Sequence, residues 1–430
     1  MNPVTLQSRA WEGICAVLIF LLLPEIALLA PVPNWVANLA PIVCLLIGLD
    51  TLGPYPLFVR WRIRLERRGA LRVSAVVIGL TVVAACLTLR SPTPLTDQGP
   101  VITCAARDLW HGSNPYQTYE PQCLARFQLT SAGATPLEMG PFRGYTRYPA
   151  ESRVVAALTQ DQERGSHAGF PAYGYPPDAA LLLLPVAFSG WLGISLWVAA
   201  LTALLLFAIW GLRPGATVPA LAWQMCGLAM LWIIYRWNPE DLSYLLLALS
   251  FARIDRARVS SLAMAAAVCT NPLSWPCAVV YLAILMRLPL RRRRGMWLVG
   301  GIAVGILPWM AWDHNLLGQL WRFLTLPEFP LGVSLGDLAR LPAQTHLIYT
   351  IGFLVGIALC ALIAWWWPNW RWAMAVVVFG AFLLSWRGLL YYYMPVFWLS
   401  PAVALGACRL TLQGASQPES DAPALAGPSS

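Results

Sequence analysis

The sequence predicts an all-α, polytopic membrane protein of about twelve transmembrane helices with one large extracytoplasmic loop. Three observations predict it. The chain of 430 residues is 58% hydrophobic, and its apolar residues come in runs such as "GICAVLIFLLLPEIALLA" and "SLWVAALTALLLFAIWGL". Such runs match the roughly 20 residues a helix needs to cross a hydrocarbon core of about 30 Å. The runs are continuous rather than alternating, and in lipid only helices or closed barrels satisfy the backbone. Finally, arginines gather in short connecting segments, "RWRIRLERR" (60–68), "ARIDRAR" (252–258) and "LRRRR" (290–294), the pattern of cytoplasmic loops.

Residues 1–89 supply spans at 13–30, 35–58 and 71–89. The first run ends "ALLAPVP"; Pro31 after Ala30 spoils a signal-peptide cleavage site, so the run is read as a retained helix. With 60–68 in the cytoplasm, the N-terminus is inside and the loop at 90–190 is outside. Its polar part, 90–177, carries seven arginines and seven acids, so it has no inward bias of its own. The apolar stretch "DAALLLLPVAF" (178–188) reaches only about 16 Å as a helix, half a core. If it crossed, both later arginine segments would fall outside, so it is expected to lie in the interface or re-enter. The bundle at 191–408 then has spans at 191–212, 217–234, 239–253, 257–270, 274–287, 295–312, 346–366, 371–386 and 389–408. A second outside loop covers 313–344, and the Pro/Ser/Ala-rich tail at 409–430 is read as disordered and cytoplasmic.

All 29 basic residues are arginine, which excludes Schiff-base and lysine-nucleophile chemistry. Any phosphate must be met by guanidinium groups, which suit bidentate recognition. The net charge of +9 follows the loop pattern and does not imply nucleic acid. Most of the ten cysteines lie in apolar runs; only Cys104 and Cys123 share the polar insert, where an oxidising compartment would let them pair. His111 and His314 are isolated, no metal-ligand spacing occurs, and no cofactor is implied, although a divalent ion on Asp97 stays open.

Within the insert, Thr96, Asp97 and Pro100 precede "VITCAARDLW" and Gly112, the signature of a short capped helix. The "SNPY" stretch (113–116) makes a turn, because Asn-Pro disfavours helix at the asparagine. Downstream, "FPAYGYPP" (170–177) leads into the short apolar helix, whose first turn tolerates proline.

These pieces resemble the polyprenyl-phosphate-dependent glycosyltransferases of the type-C fold, and most of all the family-87 bacterial mannosyltransferase-like proteins. The resemblance lies in Asp97, Ala105–Ala106, Gly112 with Asn114, Pro115 and Tyr116, and later Tyr175, Pro176 and Pro177. It runs over about 95–290. Val101 replaces the usual aromatic, and "TNP" (270–272) stands where the family has lysine-proline. The resemblance implies an integral membrane enzyme of the bacterial inner membrane. It would move a sugar, mannose by analogy, from a polyprenyl-phosphate donor to a glycan or glycolipid acceptor outside.

That chemistry needs one carboxylate to take a proton from the acceptor hydroxyl. Asp97 is the candidate base, and helix capping is its alternative role. Asp108, Glu120 and Asp178 are candidate second acids, with a solvated charge as the alternative reading of Asp108. Arg236 and Arg387 are candidates for the lipid phosphate; ion pairing with Glu240 or Asp241, or snorkelling, would also place them there. Arg143 and Arg147 read as loop charges. A transporter or flippase, and a non-catalytic protein keeping the fold, remain the rival readings. The arginine pattern sets a test: Gly140→Cys should react with an impermeant thiol reagent added outside intact cells. Reaction only after permeabilisation would overturn the sidedness.

Overall fold

The computed structural model describes residues 97–117, 121–127, 144–163, 173–210, 241–314 and 346–385, with scattered positions within 129–142, 316–320 and 399–410. The spans expected within 1–89, at 217–234 and over most of 389–408, the loop beyond 320 and the tail after 410 lie outside them. Glu120, Arg143, Arg236 and Arg387 do too. The described chain is helical and contains no β-strand.

Among the described residues four helices belong to the insert: α1 (Gln98–Trp110), α2 (Pro121–Ala125), α3 (Glu151–Glu163) and α4 (Pro177–Leu183). Seven more follow: α5 (Gly190–Trp210), α6 (Asp241–Ala252), α7 (Ala257–Thr270), α8 (Trp275–Leu285), α9 (Arg291–Trp312), α10 (His346–Trp366) and α11 (Arg371–Val377). These bounds follow the apolar runs closely. Two bounds differ from the expected ones. Arg291 to Arg294 form the first turn of α9 rather than the loop before it. The run 371–386 leaves α-geometry after Val377 and continues as a 3-10 helix to Leu383.

Among the described residues two helices are long and apolar enough to cross a membrane, Arg291–Trp312 and Leu347–Trp366. Before them α6, α7 and α8 have 12, 14 and 11 residues. A helix of 14 residues rises only about 21 Å. α4 is shorter still: it ends in a 3-10 turn at Leu184–Val186, and Gly190 in the left-handed region (φ 69°) starts α5 at once.

The bundle has two distinct ends. At one, the arginine segments meet: buried Arg294 donates from Nη1 to Ile254 O at 2.7 Å, and Arg253 donates from Nη2 to Ala208 O at 2.6 Å. Arg409 donates to Ala252 O there as well. The segments 252–258 and 290–294 therefore share one end, as the charge pattern requires. α9 rises about 33 Å from it to Asp313 at the opposite end, where Asn114 Nδ2 donates to Asp313 Oδ2 at 3.4 Å.

α7 and α9 run in the same direction and pack closely along two glycines. A Cβ on Gly301 would lie 2.7 Å from Ala265 Cβ, and one on Gly305 would lie 2.6 Å from Cys269 Sγ. Small residues four apart allow this backbone approach. Gly301→Leu should accordingly lower stability by about 1–3 kcal/mol through overpacking, read as earlier unfolding of the detergent-solubilised protein. Gly300→Leu, where an added Cβ meets nothing within 4 Å, is the control that should change little.

Candidate active site

α1 organises the site. Its first turn starts at Asp97, in the N-cap position but with helical backbone angles (φ −74°, ψ −13°) and no side-chain capping bond. The expected side-chain cap is therefore absent. α1 ends where Gly112 (φ 73°) takes the left-handed conformation and Ser113 N donates to Asp108 O at 2.9 Å. The thirteen-residue helix puts about 20 Å between Asp97 and this turn.

Beyond the turn the expected motif residues come together. Asn114 Oδ1 accepts from Tyr116 N at 3.0 Å, the side-chain turn that asparagine favours. The Tyr116 hydroxyl donates to Tyr175 O at 2.8 Å, and the Tyr173 hydroxyl donates to Pro176 O at 3.1 Å. These bonds fix the entry to α4, where Pro176 and Pro177 have no N–H of their own to offer. Ala105 and Ala106 of α1 and Ala179 and Ala180 of α4 share one fully buried apolar cluster. The Asn114-Pro115-Tyr116 turn and the Tyr175-Pro176-Pro177 segment thus form a single packed unit.

Two carboxylates face this unit. Asp178, in the first turn of α4, is half-buried, and its Oδ2 would lie 3.5 Å from a Cβ at Gly305. Burial raises its carboxyl from an ordinary 3.8 to about 6. Asp313 is 3% exposed and bonded to Asn114. The buried Tyr116 hydroxyl is pushed well above its usual range, first by burial, then by the charges of Asp178 and Asp313. Asp313 was not singled out in the sequence, where it merely opens the 313–344 loop. The signal that could have found it is an acid directly after a long apolar run.

Asp97 stands at the other end of α1 beside a different tyrosine. Tyr148 is buried, and its hydroxyl has no hydrogen-bond partner. Burial, and then the charge of Asp97, raise its pKa. Tyr148 is held by its N–H donating to Leu129 O at 2.7 Å, and by a cluster with Leu124, Phe142 and Val154 against Val101, one turn beyond Asp97. A disulfide joins Cys104 of α1 to Cys123 of α2 and closes this loop. Nothing in the sequence distinguished Tyr148 from the other loop aromatics.

Asp108, read as solvated, instead has one carboxylate oxygen buried without a hydrogen-bond partner. Arg147 is exposed, in keeping with a loop charge. Arg107, on the same helix as Asp97, donates from Nε to Ala187 O at 2.8 Å and lies over the Phe127 and Phe188 rings. It ties α1 to the far end of α4. Among the described residues no group of three His, Cys, Asp or Glu side chains could hold a metal.

No family model, curated protein or solved structure matches the chain.

The raised carboxyl of Asp178 has a consequence for stability. A folded-state pKa above the unfolded value means the neutral acid is favoured on folding, so the stabilisation is full below about 4 and lost as pH rises through about 6. Asp178→Asn stays neutral throughout. It should match the wild type near pH 4 and be more stable near pH 8 by about 1–2 kcal/mol, after allowing for the solvent that reaches the group. Thermal unfolding at the two pH values measures this; a variant less stable at the higher pH would show that the carboxylate is paired, not merely buried.

Proposed function

We propose that the chain is a membrane-embedded glycosyltransferase of the type-C kind, moving a sugar from a polyprenyl-phosphate donor to an acceptor outside the membrane. One observation carries the proposal. The α1 alanines, the Asn114-Pro115-Tyr116 turn and the Tyr175-Pro176-Pro177 entry to α4 are far apart in the chain, yet they pack as one unit beside carboxylates. That unit lies at the end of α9 opposite the arginines. The arrangement fits a reaction on the extracytoplasmic side of a multi-pass bundle whose arginine loops are cytoplasmic. The disulfide in the insert fits an oxidising compartment.

In this reading Asp97 accepts the proton of the acceptor hydroxyl as it attacks the anomeric carbon, and the lipid phosphate leaves with the sugar's former bonding electrons. Tyr148, with its unpartnered hydroxyl near Asp97, is placed to orient that carboxylate or the incoming hydroxyl. Arg236 and Arg387 remain the proposed partners of the phosphate. A second assignment of the base has an observation of its own. Asp178 is raised to about 6, closer to the value that suits general-base work near neutrality.

Transfer from a polyprenyl-phosphate sugar, assayed with the reconstituted protein, separates the two. Asp97→Asn should cut the rate by about 10²–10⁴-fold while expression holds. If Asp178 is the base instead, wild-type activity should fall as pH drops through about 6, and Asp178→Asn should be the variant that loses transfer. Full activity in both variants would overturn both assignments of the base, and no transfer by the wild type would overturn the proposal.

A further inference from the structure

At the arginine end, the turn between α8 and α9 meets the last turn of α10 around a cavity of about 530 Å³. Its lining includes Arg287, Arg291, Leu288, Leu290 and Trp365. The Arg287 guanidinium lies over the Trp365 ring at 4.4 Å, and Arg371 is near enough to feel its charge. Among the described residues no carboxylate pairs with Arg287, Arg291 or Arg371, and the Arg126–Glu151 ion pair is elsewhere.

The backbone adds positive potential to the same place. α9 begins with Arg291 to Arg294, has no acid in its first turn and has no side-chain cap. Those charges sit at the end of the helix dipole that already favours an anion. Leu290, the residue before α9, holds φ 58°, a conformation rare for a side chain of its kind. The turn is nonetheless fixed in shape, since buried Arg294 donates from Nε to Pro289 O at 3.1 Å and from Nη1 to Ile254 O. An anion would relieve the mutual repulsion of the arginines and pair with N–H groups left open at the helix start.

Both helices that line the cavity also carry exposed apolar side chains. Met296 and Val299 of α9 and Leu362 and Trp366 of α10 are exposed. A free phosphate would use none of this surface, whereas an amphiphile would use both parts. We propose that this end of the bundle binds an anionic phospholipid, its phosphate between Arg287 and Arg291 beside Trp365 and its acyl chains along α9 and α10. The site rests on the membrane placement proposed above but not on glycosyl transfer.

The test uses the full-length protein in detergent and counts retained lipid by native mass spectrometry. Wild type should retain phosphatidylglycerol in preference to phosphatidylcholine. Arg287→Gln and Arg291→Gln should each weaken retention about fivefold, the effect expected of one arginine beside an anionic headgroup. The exposed Arg291 keeps the test readable if Arg287→Gln fails to fold. Arg256→Gln loses one exposed charge from the same end of the bundle but from a residue that does not line this cavity, and should retain the lipid. Equal retention by all variants, or equal loss in Arg256→Gln, would overturn the site. Displacement by glycerol phosphate at the same concentration would overturn the lipid as its occupant.

Discussion

The entry to α4 depends on two tyrosine hydroxyls. Consecutive prolines at 176 and 177 strip two N–H groups from the chain, so the carbonyls around them need partners from elsewhere. Tyr116 and Tyr173 supply those partners at Tyr175 O and Pro176 O. Tyr116 can do so only because α1 ends in a left-handed glycine and an asparagine turn that folds the chain back. Once α4 is held there, Asp178 is carried against α9 at Gly305, and the α1 alanines are buried against it.

The same clamp explains why the half-length apolar stretch matters. A seven-residue helix contributes little stability by itself, and α4 is kept in place by contacts with α1, α7 and α9. Trp197 of α5 adds a bond from Nε1 to Leu182 O at 2.7 Å. Arg107 fastens the far end through Ala187 O. The helix is thus a fixed shelf between the insert and the bundle, with an acid at its first turn.

α9 couples the two ends of the molecule. Its glycines allow close packing on α7, its arginines gather at one end, and Asp313 follows its last turn at the other. Charges of opposite sign separated by the length of one helix suit a bundle whose ends meet different surroundings. Some polar groups inside the bundle are paired, as where the Ser260 hydroxyl donates to Ser250 O at 2.7 Å and also meets the Tyr281 hydroxyl, while the buried Thr202 and Ser243 hydroxyls have no hydrogen-bond partner.

Much of the helical architecture was legible from the sequence, because long apolar runs, Gly/Pro punctuation and arginine clusters act locally and need no partner to be read. The starts and ends of α7 and α10, the shortness of α4 and the meeting of the arginine segments follow from those signals. The pieces of the site were legible as types: an acid before a short helix, an asparagine-proline turn, a double proline before an apolar run. Their assembly was not. Asp313 joins Asn114 across 199 residues, and Tyr148 reaches the first turn of α1 through a loop whose path no periodicity encodes. The missing cap at Asp97 and the buried oxygen of Asp108 are likewise properties of surroundings rather than of residue type. Local chemistry sets where helices begin and end; burial and long-range pairing decide which acids are raised, which are bonded and which remain open to a substrate.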